Sequence, residues 1–159
     1  SGLPQSAESQ YPTLNVDAIC EFADSDGRGV PTLAHDASVL FLWATSPLLP
    51  EAVRVLHAWG FDYKTSLIWR KDRAPGIGWW TRTFHELLLV GVRPNTPQPA
   101  IKPDSVIDAP VDRHSAKPAV FAELVEMMYP GPKDRRFYIE LFCRSPREGW
   151  AAFGNEVPM

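Results

Sequence analysis

The chain has 159 residues, 45% of them hydrophobic, and a formal net charge of −3. That apolar content suffices for one domain with its own core, and the acidic balance argues against a protein whose main task is coating nucleic acid, since such domains carry a basic excess. No run of about 18 apolar residues occurs, so no membrane span is predicted, and the polar start Ser1-Gly2-Leu3-Pro4-Gln5-Ser6 has the makeup of no signal peptide.

Residues 1–14 read as a polar loop. Asn15 can cap a short helix from Val16 to about Phe22, with Asp17 near its positive end. A Gly/Asp-rich turn, Asp24 to Gly29, precedes the continuous apolar run Val39 to Ala44, which predicts a strand buried on both faces. Leu49, Ala52, Val53, Leu56 and Trp59 fall at helical spacing, with Pro50 in the first turn and Gly60 just past the end.

Lys64 to Arg70 predicts a second strand, followed by a Gly/Pro loop from Arg73 to Gly78 and the pair Trp79-Trp80. Glu86 to Arg93 predicts a third strand, Pro94 to Pro103 a Pro-rich connection, and Ser105 to Ala109 a short fourth strand. Val120, Phe121, Leu124, Val125 and Met128 give the clearest amphipathic helix, closed by Tyr129-Pro130-Gly131. Phe137 to Cys143 and Trp150 to Phe153 complete the strands. Apolar strands interrupted by helices predict a single α/β domain with a largely parallel sheet.

Several chemistries are set aside. Cys20 and Cys143 lie far apart and form no metal or redox spacing, which fits free thiols in a reducing, cytoplasmic setting. His35, His57, His85 and His114 make no zinc spacing, and His85-Glu86 meets Leu89 where a zincin motif needs histidine. No metal is therefore expected. A nucleophile elbow and a phosphate-binding Gly-Lys-Ser loop are missing from the sequence, and Gly76-Ile77-Gly78 runs into Trp79-Trp80 instead of completing a dinucleotide fingerprint.

Four segments in order carry a family likeness. They are Tyr11-Pro12-Thr13-Leu14; Val39-Leu40-Phe41-Leu42-Trp43-Ala44-Thr45; Ala58-Trp59-Gly60-Phe61 through Trp69-Arg70-Lys71 and Gly78-Trp79-Trp80 to His85-Glu86-Leu87-Leu88-Leu89-Val90-Gly91; and His114-Ser115-Ala116-Lys117-Pro118 with Tyr129-Pro130-Gly131, Glu140-Leu141-Phe142-Cys143-Arg144 and Gly149-Trp150 to Gly154-Asn155-Glu156. Over nearly its whole length the chain closely resembles the MT-A70 family of adenine-N6 methyltransferases, particularly bacterial and phage-type members. The resemblance implies a Rossmann-like methyltransferase sheet with permuted motif order, an Asp-Pro-Pro-Trp catalytic segment coming first and the cofactor strand last. That segment does not occur among the 159 residues. In the family it precedes the Tyr-Pro-Thr element, so the catalytic residues stay unassigned. The chain alone is expected to be inactive, with the segment lying upstream of Ser1; a degenerate member is the alternative.

The implied activity is S-adenosylmethionine-dependent methylation of adenine N6 in nucleic acid, DNA ahead of RNA. A catalytically silent nucleic-acid-binding subunit is the rival. The expected partner is nucleic acid, with a homo- or heterodimer compatible and no membrane. Lys117 stands where a helix begins, and a cation there costs about 0.3–1 kcal/mol against the helix dipole; the cofactor's methionine carboxylate would reverse that penalty, and a solvated lysine is the alternative. His114 belongs to the same loop. Glu140, Phe142 and Arg144 end a predicted strand, where ligands of α/β sheets bind, although an ion pair between Glu140 and Arg144 would serve structure alone.

Glu156 can accept the ribose hydroxyls and Asn155 can read the adenine edge, sharing with Lys117 a pocket at the sheet's edge. On the acceptor side stand Tyr11, Trp43, Trp69, Trp80, Arg82 and Glu86, with core packing the alternative for Trp43 and Trp69. Trp79 and Trp80 follow a Gly-rich loop, where exposure is expected. Arg70, Lys71, Arg73 and Arg82 form a basic stretch with Asp72 as its one acid, suited to phosphates or to an ordinary solvated loop.

Overall fold

Asn15 accepts a hydrogen bond from the Ala18 amide at 2.8 Å and so caps α1 (Val16–Cys20), which ends two residues short of the expected Phe22. The computed structural model describes residues 15–73, 78–112, 116–132 and 137–153. Described residues up to Met128 form one compact unit, and those from Tyr129 onward belong to a second. In the first unit the Asp24–Gly29 turn is closed by Asp24, whose carboxylate accepts from the amides of Asp26 and Arg28. A short helix that periodicity did not foretell, α2 (Val30–Leu33), follows with Pro31 in its first turn.

The run 39–44 forms β1 (Val39–Ala44) as predicted. A 3-10 turn, Ser46–Leu48, leads into α3 (Leu49–Ala58), where Pro50 occupies the first turn. Past its end Gly60 takes φ +84°, and the Phe61 amide reaches back to the Leu56 carbonyl at 3.1 Å. Glycine adopts this left-handed conformation without the Cβ penalty.

The sheet is completed by β2 (Asp62–Lys71), β3 (His85–Val92) and β4 (Val106–Ala109), in the order β1-β3-β2-β4. β3 is antiparallel to both β1 and β2, and only β4 runs parallel to its neighbour β2. The expectation of a largely parallel sheet is thereby corrected to a mixed one. An apolar run records burial and carries no information on strand direction. A parallel return from β2 would need a crossover, usually helical, and no helix occurs among the described residues between β2 and β3. Burial follows the order. Central β3 is the most buried strand, whereas β1, an edge among the described residues, is half-buried and not enclosed on both faces.

Arg93, just past β3, holds the loop after α2 against the end of α3. Its guanidinium donates to the carbonyls of Ala34 (2.7 Å), Pro31 (3.1 Å), His35 (3.3 Å) and Trp59 (3.4 Å), and it lies 4.7 Å from the Phe61 ring centroid. A planar fork makes these bonds together, which an ammonium cannot. Arg93→Lys is therefore expected to destabilise the fold by about 2 kcal/mol. A thermal melt reads this, and an unchanged midpoint would refute the clamp.

The unit closes with α4 (Ala119–Met128), whose Phe121 is buried edge-on against Trp43. In the second unit β5 (Tyr138–Leu141) and β6 (Trp150–Phe153) pair in parallel, with Tyr138 stacked on Trp150 at 5.0 Å. Tyr138 donates its hydroxyl to the Tyr129 carbonyl at 2.7 Å. No described helix is long and apolar enough to cross a membrane.

Candidate functional site

Strand alternation assembles the site. In β2 the side chains of Leu67, Trp69 and Lys71 share one face, because successive residues point to opposite sides. The register sets Trp69 opposite Glu86, and Leu88 opposite both Leu67 and Trp43. Directly opposed residues share a face, so Trp43, Trp69, Lys71 and Glu86 meet there. Trp43 and Trp69 stand edge to face at 6.2 Å.

Glu86 is the buried charged residue of this face. One of its oxygens accepts from Lys71 Nζ at 2.7 Å and the other from Lys117 Nζ, so the carboxylate is shared between two ammonium groups. Lys71, whose side chain is 8% exposed, also lies 4.8 Å from the Trp69 ring centroid. Lys117 sits 5.2 Å from Trp43 and 6.0 Å from Trp69. Burial pushes the Glu86 carboxyl upward, but the hydrogen bonds and charges of Lys117 and Lys71 outweigh it and hold the group below the usual carboxylate range. With Glu86 ionised, the trio carries one positive charge in excess.

Beside the trio a cavity of about 250 Å³ wraps the C-terminal end of β1. Its wall is mainly apolar, from Ile19, Trp43, Leu48 and Val55, with Thr45, Glu51, Glu86 and Lys117 as the polar groups. Glu51, in the first turn of α3, is one of the lining residues, and its Oε2 atom is buried without a hydrogen-bond partner among the described residues. An unsatisfied buried carboxylate oxygen is costly. Nearby, Ser46 Oγ and His85 Nε2 are 2.9 Å apart.

The other predicted residues separate into groups. Trp69 is 2% exposed and donates its indole N–H to the Ala109 carbonyl at 2.7 Å, so it supports Trp43 from below and does not reach the cavity itself. Trp80 stands fully in solvent, and Arg82 lies over Phe84 at 5.4 Å. The basic stretch is largely engaged. Arg70 grips Asp108 with both arms (2.5 and 2.8 Å), Arg73 donates to the Val111 carbonyl and Lys71 is spent on Glu86. Tyr11, His114, Asn155 and Glu156 lie outside the described residues, and with them the pocket expected to join Lys117 to Asn155-Glu156.

In the second unit Glu140 lies in β5, and Phe142, just beyond the strand, takes φ +57°. A bulky side chain in the left-handed region is strained and persists only where its surroundings over-determine it. They do so here. The Cys143 amide donates to the Phe153 carbonyl at 2.9 Å, and its thiol reaches the Ser145 carbonyl (3.2 Å) and Glu140 (3.5 Å). Burial, then the nearby Glu140 charge, pushes that thiol up. Arg144 is exposed at the same turn. No group of three His, Cys, Asp or Glu suited to a metal occurs among the described residues.

Sequence reasoning passed over Glu51 and read Lys71 only as part of a basic stretch for phosphates or of a solvated loop. For Lys71 a signal existed, since it continues the inward row Leu67, Trp69 at a spacing of two. Glu51 looked like an ordinary first-turn acid, favourable to the helix dipole.

The sequence matches the MT-A70 family over residues 15–156. It is 30% identical over 156 residues to a protein named Type II methyltransferase M.MunI from Mycoplasma sp., covering 96% of this chain and 62% of that one. To the N6-methyladenosine RNA methyltransferase MTA1 of Cryphonectria parasitica it is 26% identical over 141 residues, 80% of this chain and 40% of that protein. The chain thus spans under two thirds of the length of either relative.

Proposed function

Because the chain belongs to the MT-A70 family, we propose that it forms part of an S-adenosylmethionine-dependent methyltransferase acting on the exocyclic N6 amine of adenine in nucleic acid, with DNA favoured over RNA. The observation that carries this reading is a mainly apolar cavity, with Trp43 in its wall, bordered by a carboxylate that two lysines share. The amine of adenine is a weak nucleophile, since its lone pair is delocalised into the ring. It reacts when acceptors draw its hydrogens aside and the base is held out of its stack. Trp43 offers the wall for such a base, with Trp69 as its buried support, and Glu86 is an acceptor bordering the cavity. Tyr11, Trp80 and Arg82 belong to the same acceptor side by resemblance.

The excess positive charge of the trio suits a ligand that brings a carboxylate. Lys117, with a side chain 33% exposed, is the member able to turn toward one. S-adenosylmethionine, when bound, supplies a methyl group on a sulfonium, ready for direct displacement; the chain's part is to hold and orient. Within the second unit Glu140, Phe142 and Arg144 gather at the C-terminal end of a parallel strand, where α/β sheets bind ligands, and we assign them to the cofactor, as we do His114, Asn155 and Glu156. We read the fold as the permuted Rossmann-like sheet of one methyltransferase domain. A single family match running through both units supports this.

DNA is preferred because the chain is more similar to the type II methyltransferase than to the RNA methyltransferase. The test is incubation of the full-length protein with methyl-labelled S-adenosylmethionine and either polymer, with digestion and mass spectrometry for N6-methyladenine. Label in DNA is expected. Label in RNA alone would reverse the choice of polymer, and no label in either would leave a nucleic-acid-binding subunit.

A further inference from the structure

Trp79 and Trp80 are 101% and 98% exposed, so both indoles stand wholly in water. Leaving two adjacent large rings uncovered forgoes much of the stabilisation their burial would bring. The turn that presents them is nevertheless tightly made. A Cβ at Gly78 would fall 1.8 Å from the Thr81 carbonyl oxygen, so only glycine allows the chain to close here. The turn precedes β3, whose second residue is Glu86 of the candidate site. Between Asp72, which accepts from the Val111 amide, and Glu86, which two lysines share, the chain carries Arg73 and Arg82 and no acid. Arg82, exposed, follows the pair two residues on.

We propose that Trp79 and Trp80 form a stacking platform for unpaired bases of the nucleic acid beside the adenine site, so that a single or locally opened strand is gripped in preference to intact duplex. Every base offers a π-face, so stacking on exposed aromatics is tolerant of sequence, and adjacent cations meet the phosphates. The exposed Arg82 beside two exposed indoles favours a polyanion that also offers flat rings as the occupant. The proposal rests on the nucleic-acid part of the reading above and on neither adenine nor methyl transfer.

The test is therefore made with a probe that lacks adenine. Fluorescence anisotropy with labelled oligothymidylate at low salt is expected to show binding by the full-length protein and a loss of about tenfold or more in the Trp79→Ala/Trp80→Ala variant. Trp79→Phe/Trp80→Phe, which keeps a ring at each position, is expected to restore most of it. Gly78→Ala keeps both indoles but cannot close the turn, and should lose affinity as well. Since both rings are exposed, melting of the alanine variant should match the wild type. Equal affinity of alanine variant and wild type overturns the proposal, as does an equal dependence on the pair for intact duplex. If the alanine variant binds normally but sediments as a smaller species, the pair is a protein contact and the proposal fails. Failure of adenine methylation with pair-dependent oligothymidylate binding would sink the enzyme reading alone.

Discussion

Replacing Glu86 by alanine is expected to lower the unfolding free energy by about 3 kcal/mol, because the change leaves two ammonium groups facing each other without their shared anion. Lys71 suffers most. Its side chain is 8% exposed, and apart from Glu86 it has the Trp69 ring face as a neighbour. Lys117 is one third exposed and can turn outward, which keeps the loss at the lower end of the range for a broken buried pair. Urea unfolding at neutral pH reads the effect as a lower midpoint at constant slope. Glu86→Gln, which retains the shape and one acceptor, should lose less.

The same carboxylate sets an acid limit. Its folded pKa lies below its ordinary value, so the stability it contributes is present above the unfolded pKa and disappears as pH falls through the folded one. The gap between wild type and Glu86→Gln should thus be full at neutral pH and close in acid, below the usual carboxylate range. A gap that persists unchanged there would show that the pairing is not what Glu86 contributes.

What the sequence disclosed about the fold was chiefly burial and boundaries. The bounds of β1 and β6 coincide with their apolar runs, and Pro50 and Gly60 mark the ends of α3 as their backbone preferences require. Direction was hidden. The runs of β1 and β3 look alike, yet one is an edge among the described residues and the other the sheet's centre, since neighbours in space are not written in a local pattern. For the site, the family resemblance drew attention to Glu86, Lys117 and Trp43, but not to their meeting. That meeting depends on the pairing of Trp69 with Glu86 and of Trp43 with Leu88. Lys71 was read with Arg70 and Arg73 as a phosphate contact or solvated cation because four charged residues in a row look exposed. The alternation of β2 turns Lys71 inward while Arg70 faces Asp108 on the neighbouring strand.

Lys117→Ala separates the two roles this lysine is offered. As a structural partner it contributes less than Glu86 does. Its removal leaves Glu86 still paired with Lys71 at 2.7 Å and electrically balanced, but takes the donor from the other Glu86 oxygen; because Glu86 borders the cavity, where water can replace that donor, the loss should stay at about 1 kcal/mol. As a ligand for the cofactor's carboxylate it is the cation the trio has to spare, and a charged hydrogen bond lost there should weaken S-adenosylmethionine binding by roughly ten- to a hundredfold. Calorimetry with the cofactor and a melt of the same variant give both answers. The expected result is a large loss of affinity with a melting point close to wild type. The reverse pattern, an unchanged affinity with a fold clearly weakened, would mean that Lys117 exists to neutralise Glu86, and the carboxylate would then need another cation. Lys71 cannot take that place, because its ammonium is enclosed between Glu86 and Trp69 and any turn toward a ligand would strand the Glu86 oxygen it now satisfies. The asymmetry in exposure between the two lysines is therefore the physical basis for assigning one to the fold and the other to the ligand.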